Sequence, residues 1–237
     1  MNKVNYGIDA PKVIRNQIVI GIFLLIIGIL LSLNFYPSVT PLKYSFLSTA
    51  ICLLIVSILM LLYSKFGKYK HRDRILKLHQ WKGDEKVLDV GTGLGLLMIG
   101  AAKKLNAGKS YGIDIFNNYD LSDNSIEKTK NNILLENVVE RTEILSENIL
   151  KTNFSDNYFD VIVSNLCIHN LYKTDEKKQA CTEINRILKP GGEAIISDYK
   201  HTGEYRKNFQ TLGMKVEKVG TYFFDTFPPL TIIKAIK

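Results

Sequence analysis

Hydrophobic and polar positions divide this chain of 237 residues into two regimes. Two apolar runs, residues 18–36 and 44–63, carry no charged side chain. At about 1.5 Å of rise per residue, each is long enough as a helix to cross a hydrocarbon layer of about 30 Å. Pro37 and Pro41, with Lys43 behind them, interrupt the pattern and predict a tight turn, so the two runs form a helical hairpin. Residues 64–80 are basic, with Phe66, Tyr69, Ile75, Leu76 and His79 at roughly helical spacing. They predict a juxtamembrane linker helix whose cations meet lipid headgroups and whose apolar stripe docks on the next domain.

From residue 81 short apolar runs alternate with helical patterns. Val87, Leu88 and Val90 read as a buried strand that runs into Gly91, Gly93 and Gly95, and an Ala-containing apolar helix follows over 94–105. Residues 109–115 supply a second strand. Residues 215–219 and 230–236 read as a closing pair. This alternation predicts an α/β fold with a doubly wound sheet, and about 157 residues are enough to bury its core. The expected organisation is a hairpin over 1–63, a basic linker over 64–80 and a catalytic domain over 81–237.

Charge sharpens the hairpin reading. The formal net charge of +8 invites a nucleic-acid partner, but residues 1–80 hold ten Lys/Arg against two Asp/Glu, whereas residues 81–237 hold 21 of each. Lys3, Lys12 and Arg15 precede the first run, and Lys65, Lys68, Lys70, Arg72, Arg74 and Lys77 follow the second, against Lys43 alone between them. By the positive-inside rule the N-terminus and the larger domain face the cytoplasm. A cleaved signal peptide is disfavoured, because no small-residue cleavage site follows the first run and a second run does. Gly21 and Gly28, facing Ser45, Ser48, Thr49 and Cys52, are candidates for close helix approach. Cys52, Cys167 and Cys181 lack metal-ligand spacing and read as reduced packing residues, and no metal site is expected.

The glycine turn carries the first candidate chemistry. Glycine is needed where backbone turns sharply and approaches a ligand with no Cβ in the way. Asp114 follows Gly95 by 19 residues, the distance at which a βαβ unit sets a carboxylate over ribose hydroxyls. The spacing Asp89-x-Gly91-x-Gly93-x-Gly95 differs from the dinucleotide fingerprint and favours a single nucleoside over a nicotinamide dinucleotide.

With these features the sequence resembles the class I S-adenosylmethionine (SAM)-dependent methyltransferases, from about residue 70 to the C-terminus. Residues 87–95 match that family's first motif and Asp114 its ribose acid. Residues 142–149 resemble the segment that brackets adenine, with Asn148 where the family usually has Asp and Ile149 where it has a small residue. Residues 159–171 resemble the fourth-strand motif beside the methyl-transfer site. Residues 183–198 resemble the helix, Pro-Gly-Gly turn and fifth strand. The resemblance implies a seven-stranded Rossmann-like sheet with an antiparallel last strand and SAM as cofactor. It implies cofactor contacts from Asp89, Gly91, Thr92, Gly93, Gly95, Asp114, Ile115, Asn148, Ile149 and Asn165.

Methyl transfer from a sulfonium needs mainly alignment and exclusion of water, and a base only where the acceptor arrives protonated. His169 and Asp198, at strand ends, are the catalytic candidates. Asn124, His201 and Tyr205 are further pocket candidates, and Ser125 is a candidate helix cap. The Asp/Asn-Pro-Pro-Tyr pattern of enzymes that methylate exocyclic nucleic-acid amines is absent, so no nucleic-acid partner is expected. Four aromatics beside two prolines in 222–229 read as a hydrophobic lip or as core packing. The leading expectation is a membrane-anchored methyltransferase for a hydrophobic small molecule or lipid: a quinol, an isoprenoid or a lipid headgroup. A methyltransferase for a membrane-associated protein and a non-catalytic SAM-binding membrane scaffold are the alternatives.

Overall fold

The computed structural model describes residues 3–33, 40–117 and 121–237. The turn expected around Pro37 and the residues Asn118–Asp120 lie outside the described residues. Helix α1 spans Pro11–Ser32 and α2 spans Thr40–Leu62. Both are long and apolar enough to cross a membrane. They pack side by side, and the small residues that matter are not those expected on α2. Gly21 and Gly28 are buried, and a Cβ on either would press on Leu54 or Leu47. The facing small residues are Ala50 and Ser57, whereas Ser45, Ser48, Thr49 and Cys52 point outward. Ser57 completes the seam by donating to Gln17 Oε1 at 3.3 Å.

The second helix does not stop at its apolar end. It widens into a π turn, Tyr63–Gly67, and continues as α3, Lys68–Leu76. Helix α3 docks directly on the sheet, where its Ile75 and Leu76 are buried. Charged side chains therefore alternate with core residues within nine positions, a short stretch in which helical period outweighs mean polarity.

Strands β1 (Lys86–Val90), β2 (Lys109–Asp114), β3 (Thr142–Ser146), β4 (Phe159–Asn165), β5 (Leu188–Asp198), β6 (Lys215–Tyr222) and β7 (Leu230–Ile236) form one sheet in the order β3-β2-β1-β4-β5-β7-β6. All pairings are parallel except those of β7, which is antiparallel to β5 and β6. The expected seven-stranded, doubly wound sheet is the observed one. Lys189, Pro190 and Gly191 bulge from β5 between the Phe159–Leu188 and Val161–Glu193 pairings, with Gly191 at φ +78°.

Strand side chains alternate between two apolar layers, as a period of two requires. Val87, Val161, Val163 and Ile195 meet α3 and the Leu97, Ala101 and Leu105 surface of α4 (Leu96–Ala102) and its C-terminal end. Leu88, Val90, Ile162 and Ile196 meet α6 (Thr174–Ile187) and α7 (Thr202–Thr211) through Ala180, Ile184, Tyr205 and Phe209. Helix α5 (Ile126–Leu135) begins at Ser125, whose hydroxyl accepts from Lys128 N, so the expected cap is present. The order reverses between β1 and β4, and parallel sheets of this kind take ligands at that point, outside the carboxyl ends of the strands.

Candidate functional site

Beyond β1 the backbone folds over the end of β2. The amides of Gly91 and Thr92 both donate to Ile113 O, at 2.9 and 3.0 Å. Gly91 has φ +74°, and a Cβ there would lie 2.3 Å from Cys167 Sγ. Gly93 has φ +53°, and its Cβ would strike Leu121. Both demands exclude a side chain and leave bare backbone at the switch point.

Asp89 is turned inward. Its Oδ2 accepts from Thr92 Oγ1 and from Met98 N, each at 2.9 Å, which pins the glycine loop to the start of α4. Burial pushes its carboxyl up to about 7; the two donated hydrogen bonds oppose that rise and the charge of Asp114 adds to it. Asp89 therefore acts on the site by shaping the loop.

Asp114 ends β2. Its Oδ2 accepts from Gly93 N at 2.8 Å, and its Oδ1 accepts from Phe116 N at 2.6 Å and from Asn124 Nδ2 at 3.4 Å. Asn124 is 5 % exposed, and its Oδ1 is buried with no partner among the described residues. A carboxylate and an orphaned amide oxygen thus stand together beside a glycine loop that admits no Cβ. Two acceptors side by side fit the hydroxyl donors of a nucleoside cofactor's ribose. From below, Thr129 Oγ1 donates to Gly93 O at 2.8 Å and Asn132 Nδ2 to Leu94 O at 3.0 Å, so α5 fixes the same loop.

The other expected cofactor residues lie at or just beyond the ends of β2, β3 and β4. Ile115 is 62 % exposed beyond the end of β2. Asn148 closes its own turn, its Oδ1 accepting from Leu150 N at 3.0 Å, and Ile149 is buried in the core layer that includes Tyr111 and Phe159. Asn165 ends β4, where its Nδ2 donates to Tyr63 Oη at 3.4 Å and its Oδ1 is buried with no partner among the described residues.

His169 and Asp198 come together at the ends of β4 and β5. His169 Nδ1 lies 2.8 Å from Asp198 Oδ1, but the ring N–H points off the oxygen, so the pair touches without a well-formed hydrogen bond. Such contacts commonly align only once a site is filled. Asp198 is fully buried, and its carboxylate also accepts from His169 N at 3.1 Å, Tyr199 N at 2.9 Å and Tyr205 Oη at 3.3 Å. Burial and the neighbouring Asp198 charge hold the Tyr205 phenol protonated far above its ordinary range. The Tyr199 ring stands edge-on to His169 at 4.7 Å. His201 takes a left-handed conformation before α7 and turns toward Glu204 Oε2, 3.4 Å away.

Several residues around the site were not legible as such in the sequence. The segment before α1 lies across the glycine-loop side of the domain. Ile8 N donates to Ser122 Oγ at 2.7 Å, Ser122 N donates to Ile8 O at 3.0 Å, and Gly7 packs against Leu94 and Leu121. Lys68 ties this segment to α3: it is 3 % exposed, and its Nζ donates to the carbonyls of Tyr6 and Gly7 at 2.7 and 2.6 Å, with Asp9 Oδ2 at 3.5 Å. Burial lowers the Lys68 pKa and Asp9 offsets part of that fall. In sequence Lys68 is one cation in a basic run, and Tyr63 is the last residue of an apolar one.

Comparison with known proteins adds the identity of the fold. Residues 88–196 match a family model described as a methyltransferase domain. The chain is 32 % identical over 157 residues to a ribosomal protein L11 methyltransferase of Fusobacterium nucleatum, covering 65 % of this chain and 46 % of that one. It is 29 % identical over 131 residues to a demethylmenaquinone methyltransferase of Lactiplantibacillus plantarum, covering 54 % of this chain and 52 % of that one. The chain thus spans about half the length of these curated relatives. Among solved structures it resembles the magnesium protoporphyrin IX methyltransferase of Synechocystis PCC 6803 with bound SAM, with a TM-score of 0.60 at 16 % identity over 77 % of this chain and 83 % of that one. Residues 88–196 thus match a methyltransferase domain, and the sheet around them has the fold of the SAM-bound Synechocystis enzyme.

Proposed function

We propose that the protein is a membrane-anchored SAM-dependent methyltransferase whose acceptor is a hydrophobic small molecule or a lipid, with a quinol, an isoprenoid or a lipid headgroup as the chemical classes. The observation that carries this reading is the unbroken passage from α2 through the π turn into α3, whose Ile75 and Leu76 lie in the core under the sheet. An apolar hairpin built into the catalytic core holds the site at a fixed height beside the bilayer, within reach of solutes that do not leave it. The surplus of Lys and Arg on both outer flanks of the hairpin supports a cytoplasmic N-terminus and a cytoplasmic methyltransferase domain. The likeness to a demethylmenaquinone methyltransferase supports an acceptor of the quinol class.

In this reading the glycine loop and Asp114 hold SAM, Asp114 by accepting from ribose hydroxyls, with Asn124 beside it. SAM, when bound, supplies a methyl group on an activated leaving group. What this chain adds is alignment, exclusion of water and a place for the acceptor's proton. His169 is the base. Asp198 faces its Nδ1 side, so Nε2 is the nitrogen left to take a proton, and the resulting imidazolium is stabilised by the buried carboxylate 2.8 Å away. Tyr205, Tyr199 N and His169 N keep that carboxylate in place.

The test is labelled methyl transfer by the full chain in phosphatidylcholine vesicles, offered a reduced prenylated hydroquinone, a host lipid extract and the host membrane-protein fraction. Label in the hydroquinone or the lipid extract is the expected result. Label confined to protein would replace this reading with a protein methyltransferase, and binding of SAM without transfer to any fraction would leave a SAM-binding scaffold.

A further inference from the structure

We infer that Tyr63, at the end of the second apolar helix, is an acceptor-site residue, so that the hairpin supplies one wall of the pocket in which methyl transfer takes place. This rests on the reading of a membrane-dissolved acceptor and adds the contact by which such a molecule is positioned.

Three observations carry it. Tyr63 is 4 % exposed, and its Oη meets Asn165 Nδ2 at the carboxyl end of β4, beside the point where the sheet order reverses. Asn165 pairs with Ser197, the residue before Asp198, so the phenol contact lies beside the strand end that carries the His169–Asp198 pair. The partner of the phenol is itself incomplete, because Asn165 Oδ1 is buried and takes no donor from the described residues. A buried carbonyl without a donor is costly, and a hydroxyl on a bound molecule is the donor that removes the cost.

The backbone at Tyr63 is built for this contact. The π turn inserts one residue and so rotates the apolar helix against α3 by about 100°. Three ties hold the turn. Ser64 Oγ donates to Asp9 Oδ2 at 3.0 Å, Asp9 N donates to Ser64 Oγ at 3.0 Å, and Gly67 lets the carbonyl of Asp225 approach so closely that a Cβ would lie 2.3 Å from it. On the outer side of this junction Phe66, Phe223 and Phe224 are exposed, the last of them completely. An amphiphile whose tail lies against these rings and whose hydroxylated head reaches Asn165 and Tyr63 matches both surfaces. Asn165 Oδ1 accepts from one hydroxyl of a hydroquinone head, which leaves the proton of the other hydroxyl for His169.

The experiment compares wild type with Tyr63→Phe in phosphatidylcholine vesicles doped with a reduced prenylated hydroquinone, reading acceptor KM, kcat and the SAM Kd. Tyr63→Phe keeps the buried ring and removes the hydroxyl. The acceptor KM is expected to rise about tenfold, the worth of one lost hydrogen bond to a bound molecule, with kcat and the SAM Kd each within about twofold of wild type. An unchanged KM overturns the inference. So does a SAM Kd that moves in step with KM, because that is the signature of a purely structural tyrosine. If label goes to membrane protein instead of hydroquinone, the lipid reading fails while the same KM comparison, made on the protein acceptor, still decides the role of Tyr63.

Discussion

His71 Nε2 lies 2.7 Å from Ser197 Oγ, and both side chains are completely buried. The contact joins the helix that continues the apolar hairpin to the strand that ends in Asp198. Arg74 Nη1 lies 3.0 Å from the other ring nitrogen of His71. A guanidinium only donates, so His71 Nδ1 accepts, and Nε2 carries the proton that goes to Ser197. The ring is thus neutral by construction. Burial, with the charge of Arg74 in the same direction and Asp225 opposing, pushes its pKa down to about 4.

That depression makes stability depend on pH. Between the unfolded value of about 6.5 and the folded value of about 4, the unfolded chain binds more protons, so stability is full above 6.5 and is lost as pH falls toward 4. Asp89 acts in the opposite sense over an overlapping range. Its folded pKa of about 7 stands above the ordinary 3.8, so its share of stability is present below 3.8 and is lost as pH rises to 7. The two are separated by comparing wild type with His71→Gln, which leaves Asp89 untouched. Relative to the variant, wild type is expected to lose up to about 3 kcal/mol between pH 6.5 and 4, read from thermal melts in detergent. Parallel pH curves for the two proteins contradict the neutral assignment.

Gly67→Ala tests the junction between the hairpin and the β6–β7 loop. The obstructing atom is the backbone carbonyl of Asp225, which no side-chain rotation relieves. The loop must retreat, and with it Asp225 leaves Arg74 and Lys70, the latter 3.0 Å away. A destabilisation of about 1–3 kcal/mol is expected, together with faster proteolysis within 223–229. Unchanged melting and digestion would show that the loop has room the structure does not reveal.

Asp114→Ala removes the carboxylate proposed to hold the ribose and also releases Gly93 N, Phe116 N and Asn124 Nδ2. SAM affinity measured by calorimetry is expected to fall at least about tenfold, consistent with the loss of charge-assisted hydrogen bonds. Unchanged affinity would remove Asp114 from the cofactor site.

His169→Gln keeps a polar group of similar reach and deletes the proposed base. The expected result is a kcat lower by about 100-fold or more, an SAM Kd within about twofold of wild type, and a residual rate that climbs with pH as the acceptor ionises unaided. A kcat within threefold of wild type, a threshold set well below the ~100-fold expected for a lost general base, would mean that the acceptor arrives already deprotonated.

The sheet and its ligand end were readable from local pattern. Val87, Leu88 and Val90 running into three alternate glycines, followed by Asp114 at βαβ distance, specify a strand, a turn without side chains and a carboxylate at the next strand end. These are constraints among residues near in sequence, where period and spacing carry the information. Asn148 and Ile149 show where pattern stops. Which of two adjacent side chains faces a pocket depends on how the chain leaves β3, and here Asn148 closes a turn while Ile149 packs in the core.

By itself the sequence determined the two apolar runs, the sign of charge on their flanks, the α/β alternation and the glycine–aspartate geometry of a nucleoside site. Each follows from residue type and interval alone. Only the tertiary structure decided that Asp198 stands against His169 from the neighbouring strand end, that Lys68 is buried on the carbonyls of Tyr6 and Gly7, and that Tyr63 reaches Asn165. These pairs are 29, 62, 61 and 102 positions apart. They are created by strand order and by one extra residue in a helical turn, and neither changes the local pattern of hydrophobic and polar residues. The physical reason is that periodicity reports which side of an element is buried, whereas the partner on that side is chosen by how the elements pack.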